Sequence, residues 1–317
     1  MVFPSAQYEE TIMTKSCHGA AAAALASVAF GFFPLPASAA GICDQTTIAA
    51  SIACDLDATS GYNIALGNCI NLGSSSAMHE CRSQAAKSFA QAKKLCVAQA
   101  PAREKVCDAI GQAAYDPKIN PADFSTVIDN PLFPLKPGDV HVYKNGASRI
   151  TVTVTSDTIE LAGVTCIVVH DTNKVDGKIE EDTLDYYAQH KDGSVWYFGE
   201  DTISYEDGVA STHGSWRAGL NGAKPGIVML AHPVLGKTYR QEFFLGEAED
   251  VAKSIAINQK VVVPAGTYNN AFETKDFTPI TPGNVENKYY VPGIGGVLVV
   301  NPATGEREEL VRFTPGL

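Results

Sequence analysis

Two carboxylates that could share a proton fall on neighbouring predicted strands. A two-residue turn at Asp192-Gly193 pairs Lys191 with Ser194, and the same register places Asp185 opposite Glu200. Side chains that face each other across an antiparallel pair lie on one side of the sheet, with Cβ atoms about 5 Å apart. Two carboxyl groups at that distance push their pKa values apart, as general acid and base catalysis requires. We therefore regard Asp185 and Glu200 as candidate catalytic residues.

Aromatic and polar side chains are predicted on the same face as this carboxylate pair. The register places Tyr187, Trp196 and Phe198 beside it, and a further hairpin brings in His213 and Ser215. On a concave face they would form a ligand pocket with aromatic walls, in which His213 or Tyr187 could exchange a proton with a carboxylate. In a second interpretation the aromatic rings are core, the acids lie at its solvated rim and His213 lies on a solvated loop. In a third, a Ca²⁺ ion bridges the carboxylates, although no loop of alternating Asp and Asn supports it.

A second charged cluster is predicted around a turn at Leu245-Gly246. Folding there would bring Arg240, Glu242, Glu247 and Glu249 onto one face. A guanidinium among glutamates most simply forms a structural ion network, because it relieves their mutual repulsion. The functional alternative is a clamp for a polar ligand, with Arg240, Glu242 and Glu249 as binding residues.

Six cysteines between residues 43 and 107 are spaced symmetrically. The intervals are 11, 15, 12, 15 and 11 residues, so the outer, middle and inner pairs of residue numbers each add up to 150. Residues that face each other across an antiparallel hairpin have such a constant sum, and the centre falls in a turn-like stretch, residues 71–76. Intervals of 11 and 15 are close to three and four helical turns. The sequence therefore predicts a helical hairpin with the disulfides Cys43–Cys107, Cys54–Cys96 and Cys69–Cys81.

A metal cluster is the alternative use for these cysteines. It would need CxxC pairs and nearby histidines, whereas His79 is the only histidine in the segment and no CxxC occurs. The residues along the cysteine stripe are mostly small, as a close helix pair requires. We predict no metal site here. Pro101 is expected to kink or restart the second helix.

The first 39 residues have the pattern of a secretory signal peptide. Lys15 is followed by an apolar run, residues 20–33, and by the small residues Ala37-Ser38-Ala39. Cleavage after Ala39 would remove Cys17 and leave a secreted or periplasmic protein without a membrane insertion. A membrane anchor is the alternative, but the run is short for a span. Of the remaining cysteines, Cys166 stands alone in the β region and is predicted to be a buried apolar thiol.

The rest of the chain predicts a predominantly β fold. Residues 116–139 carry five prolines, which is typical of a linker or a wrapped extended segment. Runs of β-branched residues separated by turns follow, as is typical of strands. We predict an α+β protein with an antiparallel, strongly curved sheet or partial barrel. The predicted divisions are a signal peptide at 1–39, a cysteine-rich helical hairpin at 40–115, a linker at 116–139 and a β domain at 140–317.

Three segments of the β region resemble a known group of proteins. They are Asn130-Pro131-Leu132-Phe133-Pro134-Leu135-Lys136-Pro137-Gly138, Val261-Val262-Val263-Pro264-Ala265-Gly266-Thr267-Tyr268 and Lys288-Tyr289-Tyr290-Val291-Pro292-Gly293-Ile294-Gly295. They are similar to bacterial exported β domains with the patterns PLxPG, VxVPAGxF and YYAPGVGxV, mostly without an assigned activity. The resemblance covers about residues 129–311. It implies an antiparallel β domain of lipoprotein-sorting-like shape and no catalytic residues. His141 departs from it, since such domains often carry an aromatic residue there.

Charge and motifs exclude several classes of function and leave three hypotheses. The formal net charge is −11 and no basic run occurs, which argues against nucleic acid and anionic membrane partners. We find no GxSxG elbow, phosphate loop or HExxH motif, and we predict no cofactor. The first hypothesis is a β domain that binds a small apolar or aromatic ligand or a partner chain. The second is a cofactor-free secreted hydrolase, lyase or isomerase that uses the carboxylate pair. The third is a structural envelope interaction protein.

Overall fold

The computed structural model describes residues 41–206 and 208–316, with only the backbone of Glu206. The predicted signal peptide and Cys17 lie outside the described residues. By its internal contacts the described chain divides into two compact units, a hairpin unit at 41–114 and a β unit at 115–316. Each unit is considered by itself below.

The hairpin unit consists of two long helices within the described residues. Helix α1 spans Ile42–Ile70 and helix α2 spans Ser75–Ile110. The Ser74 side chain accepts a hydrogen bond from the Ala77 N–H at 3.1 Å and caps the start of α2. Helix α2 continues through Pro101 without a restart. The proline removes one hydrogen bond and introduces a local clash, but the stretches on both sides of it remain helical.

The three disulfides join the helices in the predicted pairing. Cys43–Cys107 and Cys54–Cys96 have Cα separations of 5.6 Å, and Cys69–Cys81 has 5.5 Å. The side chains buried between the helices are mostly small, such as Ala50 and Ala85. This close approach confirms the prediction from the constant residue-number sum.

The β unit contains a short 3₁₀ turn at Pro121–Asp123 and antiparallel strands. Within the described residues the strands are β1 Phe124–Ser125, β2 Val140–Asn145, β3 Ser148–Leu161, β4 Val164–Val175, β5 Lys178–His190, β6 Val195–Glu206, β7 Val209–Ser211, β8 Trp216–Arg217, β9 Lys224–Met229, β10 Thr238–Arg240, β11 Glu242–Phe243, β12 Val251–Val263, β13 Gly266–Phe277, β14 Val285–Val291, β15 Gly295–Val300 and β16 Arg307–Thr314.

The sheet curls until its two edges meet on one chain segment. The strand order is β10-β12-β13-β14-β15-β16-β2-β3-β4-β5-β6-β9-β11, and Gln241 alone separates its first and last members. Strand β10 pairs with β12, whereas β11 pairs with β9. A Cβ at Gly226 on β9 would lie 2.3 Å from the carbonyl carbon of Gln241, so only glycine allows this approach. The result is a nearly closed barrel, which confirms the predicted curved sheet or partial barrel. It has twelve strand positions when β10 and β11, which are consecutive in the chain, are counted as one.

The proline-rich segment before β2 is part of the β unit. Its strand β1 pairs with β5, and Ile128, Phe133 and Leu135 are buried. The Phe133 ring lies 5.6 Å from the ring of Tyr187 on β5 and 6.4 Å from that of Tyr290 on β14. Since β5 and β14 are not neighbours in the sheet, Phe133 helps to fill the barrel interior.

The β5–β6 hairpin corrects the predicted turn but keeps the predicted carboxylate pair. The His190 N–H donates to the Ser194 carbonyl oxygen, so the loop has three residues and ends on Gly193 at φ +92°. Tyr187 therefore faces Tyr197 instead of Phe198. A β-bulge at Phe198 then shifts the register back by one residue, and Asp185 faces Glu200.

Candidate functional site

Asp185 and Glu200 lie side by side on the inner face of the barrel. They are paired across β5 and β6, and Asp185 is 1% exposed. The Tyr197 hydroxyl donates a 2.6 Å hydrogen bond to Asp185 Oδ1. Within the described residues, the buried Oδ2 atom has no hydrogen-bond partner. The pair thus presents an unsatisfied acceptor to the interior.

The predicted aromatic walls lie on two different faces, which corrects the expectation of a single pocket. Tyr187 is on the inner face and stacks on Tyr197 with ring centroids 4.9 Å apart. Trp196 and Phe198 instead pack edge-on against Phe124 of β1, at 5.9 and 5.3 Å. The three-residue loop and the bulge cause this difference, because each one-residue shift moves side chains to the other face. Phe198 is therefore a core side chain, and Trp196 is partly buried against the same core.

His213 does not join the carboxylate pair, contrary to the pocket interpretation and in agreement with the interpretation that places it on a solvated loop. Its side chain is 72% exposed, with Nε2 3.4 Å from Glu247 Oε2. Between β7 and β8 the register slips by one residue, so Trp216 takes the position facing Glu200. The Ser215 hydroxyl instead donates to the Thr202 carbonyl oxygen at 3.1 Å.

The side chains of the predicted charged cluster around Arg240 lie in different environments. The Arg240 guanidinium lies over the ring of Phe243 at 4.5 Å and over that of Tyr115 at 5.7 Å. Glu249 accepts the Gly246 N–H at 2.8 Å and so stabilises the turn. Glu242 Oε1 accepts the Asp250 N–H at 3.3 Å, and Glu242 belongs to the barrel interior. Arg240 and Glu249 thus make contacts within the protein, while Glu242 adds to the inner-face acids.

Inner-face acids continue around the barrel far beyond the predicted pair. Each one lies within electrostatic range of the next, and the series runs from β4 through β5, β6, β11, β13, β14 and β16 back to β4. We call this series the acidic ring; its members are Asp171, Glu181, Asp185, Glu200, Glu242, Asp250, Asp276, Glu286 and Glu308.

Sequence reasoning missed most of the acidic ring although a signal for it exists. Polar and acidic side chains alternate along β5 as Glu181-Thr183-Asp185, and along β14 as Glu286-Lys288-Tyr290. Such alternation marks a shared face but does not tell which face is inside. Only the closure of the barrel turns these faces inward.

Burial raises the pKa of several members of the acidic ring. It raises the pKa of Glu181 to about 7 and that of Glu308 to about 8. Burial, and then the charge of Asp185, raises the pKa of Glu200 well above its ordinary value. Burial also raises the pKa of Asp185, against the hydrogen bond from Tyr197. These four groups therefore hold protons at a pH where ordinary carboxyl groups have lost them.

Lys288 is the one cation paired with the acidic ring among the described residues. It is 3% exposed, and its Nζ lies 3.4 Å from Asp276 Oδ2 and 3.4 Å from Glu286 Oε2. Burial opposes its charge, but Asp276 and then Glu286 raise the pKa of Lys288, so the ammonium stays protonated. Lys288 thereby offsets negative charge in the sector of the ring that contains Asp276 and Glu286.

The number of strand positions gives this barrel a wider interior than that of an eight-stranded barrel. A barrel of about eight strands is just wide enough for its inward side chains to fill. This circuit has twelve positions. Glu200, Asp250 and Glu308 belong to the acidic ring and still retain part of their accessible surface. These three members of the ring are thus not completely buried.

Other predicted features can be checked against the described residues. Cys166 is a free, buried thiol, as predicted, and burial raises its pKa to about 12. In the described ranges no three His, Cys, Asp or Glu side chains converge closely enough to hold a metal ion. The helices in residues 41–206 and 208–316 include none that is long and apolar enough to cross a membrane.

Comparison of the chain with protein family models, with curated proteins and with solved structures finds no match. The resemblance to exported bacterial β domains stays a prediction.

Proposed function

We propose that the β unit binds a small molecule inside its barrel, at the acidic ring. The observation that carries this proposal is the set of buried carboxylate oxygens on the inner face that lack a hydrogen-bond partner within the described residues. Asp171 Oδ2 and Asp185 Oδ2 are both inaccessible and lack a hydrogen-bond partner within the described residues. Convergent polar groups in an enclosed cavity with aromatic walls are typical of small-molecule sites.

The energetic cost of the ring supports a functional role. Burying a carboxylate without a compensating partner is costly, and replacing it by an apolar side chain would stabilise the barrel. Groups whose pKa is strongly raised by burial and by like charges cluster at functional sites. The ring therefore favours binding over a purely structural barrel.

We further propose that the protein acts outside the cytoplasm. The three disulfides of the hairpin unit are compatible with an oxidising compartment. The signal-like sequence at residues 1–39 favours the same location. The periplasm and the external medium both satisfy these observations.

Acid and base catalysis by Asp185 and Glu200 is the second candidate function. The Tyr197 hydroxyl fixes one oxygen of Asp185 and leaves the other free to take a proton. Glu200, whose pKa is raised by burial and by Asp185, would act as the acid. This candidate requires turnover in addition to binding, with Tyr197 in place of the predicted partners His213 and Tyr187.

Native mass spectrometry of the full-length secreted protein tests the binding proposal. We expect wild type to carry a non-covalent small molecule from a cell extract, or from a metabolite panel. The double variant Asp185→Asn and Glu200→Gln should lose at least about 90% of that occupancy, since two good polar contacts are worth more than one decade in affinity.

The matched control changes two exposed carboxylates on the outer side of β3, Asp157→Asn and Glu160→Gln. It should retain full occupancy. An adduct that survives in the double variant, or the absence of any adduct from all panels, would overturn the proposal. Conversion of a bound compound to a product by wild type alone would favour the catalytic candidate.

A further inference from the structure

We propose that a cleft on the outer face of the barrel is a separate binding site, and that it takes a neutral aromatic alcohol. The cleft lies over β3, β4 and β5 and has a volume of about 360 Å³. We call it the outer cleft; the residues that line it include Ile159, Val168, His170, Leu184 and Tyr186. This site does not depend on the acidic ring of the inner face.

A bulge in β3 forms one wall of the outer cleft. Three residues of β3, 155–157, lie opposite Val168 alone on β4. Extra residues of this kind bend a strand out of the regular sheet. The Thr155 hydroxyl donates to the Val168 carbonyl oxygen at 2.8 Å and accepts the Asp157 N–H at 3.1 Å. These two bonds hold the bulge in one shape, so the wall of the cleft is formed before any ligand arrives.

The base of the outer cleft is apolar. Val168 faces Tyr186 across β4 and β5, and both side chains are buried. The Tyr186 hydroxyl already donates to Asp201 Oδ2 at 2.7 Å, so Tyr186 offers its ring to the cleft. Ile159 and Leu184 also line the cleft, and Leu184 is 37% exposed. A ligand with an apolar ring would remove this surface from water, which favours binding.

His170 supplies a hydrogen-bonding group for a hydroxyl at the outer cleft. Its Nε2 lies 2.5 Å from Asp182 Oδ1. Because a carboxylate accepts hydrogen bonds, it places the imidazole proton on Nε2 and fixes the orientation of the ring. The neutral imidazole then has a lone pair on Nδ1 and accepts a hydrogen bond there. A ligand hydroxyl can donate that bond while its ring covers the apolar base.

The size and charge of the outer cleft favour this class over others. Its volume is at the lower end of the range for small-molecule sites, about 300–1,000 Å³, and suits one or two rings. An anion would meet the carboxylates of Asp157 and Asp182. A cation would gain little, because Asp157 is exposed to screening by solvent and Asp182 already bonds His170. In the described ranges no metal-binding group of three side chains occurs.

Titration of the full-length protein followed by ¹⁹F NMR tests the class. The probes are 4-fluorophenol and 4-fluoroanisole, which differ in the hydroxyl proton. We expect 4-fluorophenol to bind wild type with a Kd of about 1 mM, as is reasonable for a ligand of this size. The anisole should bind about fivefold more weakly, because it cannot donate to His170. In His170→Phe the ratio of the two Kd values should fall to about one.

A matched pair of apolar positions tests the location. Leu184→Gln should weaken binding of 4-fluorophenol at least about fivefold, because the ligand loses an apolar contact. The control is Ile203→Gln on β6, since Ile203 is 39% exposed and does not line the outer cleft. Its Kd should equal that of wild type. Both positions are partly solvated, and tryptophan fluorescence checks that each variant is folded.

Every other outcome overturns the proposal. Equal affinities of wild type for the phenol and the anisole would refute the role of the hydroxyl. Tighter binding of 4-fluorobenzylamine or 4-fluorobenzoate than of the phenol would refute the neutral class. Binding that Leu184→Gln leaves unchanged would place the probe elsewhere, and no binding of any probe would refute the site. The interior proposal is decided separately, by native mass spectrometry.

Discussion

Asp185 shows at the residue scale how a single hydrogen bond makes a buried carboxyl group tolerable. The Tyr197 hydroxyl donates to Oδ1 at 2.6 Å, and both side chains are almost fully buried. We expect Tyr197→Phe to lower the free energy of unfolding of the β unit by about 1–3 kcal/mol, because the acceptor is left unsatisfied. Urea unfolding followed by tryptophan fluorescence measures this unit alone, since Trp196 and Trp216 are the only tryptophans.

Tyr289→Phe provides the matched control at this scale. The Tyr289 hydroxyl donates to Glu273 Oε1 at 2.8 Å, but Tyr289 is only half-buried. Water can replace the lost bond there, so the expected loss is below about 0.5 kcal/mol. Equal losses in the two variants would contradict the special burial of the Asp185 site.

The hairpin unit shows at the element scale how disulfides replace a hydrophobic core. Few large apolar side chains are buried between α1 and α2, and the buried set is dominated by cysteine and alanine. The pair Cys54→Ser and Cys96→Ser should lower helix stability by about 4 kcal/mol, because this disulfide closes a loop of 42 residues. Thermal melts followed by circular dichroism at 222 nm measure the loss.

The inner pair provides the comparison for this loop-length effect. Cys69→Ser with Cys81→Ser opens a loop of only 12 residues and should cost about 1 kcal/mol less. A greater loss from the inner pair would show that chain entropy does not determine the stability of the hairpin.

The two helices were predictable from sequence because a helix has a fixed number of residues per turn, whereas the registers of the strands were not. The residue numbers of the six cysteines predict the hairpin and its disulfides. They do so because a helix has a fixed rise per residue and because the small residues along the cysteine stripe let the two helices approach closely there. The pairing of Asp185 with Glu200 was predicted from a two-residue turn that does not exist, and the bulge at Phe198 compensates for the error. The predicted register placed Trp196 and His213 on the face of the carboxylate pair, which is wrong. A one-residue slip in strand register leaves only a small signal in the local sequence.

At the scale of the whole molecule, the acidic interior determines how the β unit responds to pH. Burial raises the pKa of Asp250 to about 6, of Glu181 to about 7 and of Glu308 to about 8. In the unfolded chain these groups lose their protons near pH 4. Between about pH 4 and 8 the folded state therefore binds more protons than the unfolded state, and the free energy of unfolding falls as pH rises.

We therefore expect the ligand-free β unit to be more stable at pH 5 than at pH 8, with a slope of about 1.4 kcal/mol per pH unit for each titrating group. Urea unfolding by tryptophan fluorescence at intervals of half a pH unit measures this slope. Glu308→Gln should flatten the profile between pH 5 and 8, because glutamine resembles the protonated acid at every pH. The exposed control Glu160→Gln should leave the profile unchanged. Stability that rises toward pH 8 in ligand-free protein would mean that these acids are already ionised in the folded state, which would contradict their raised pKa values.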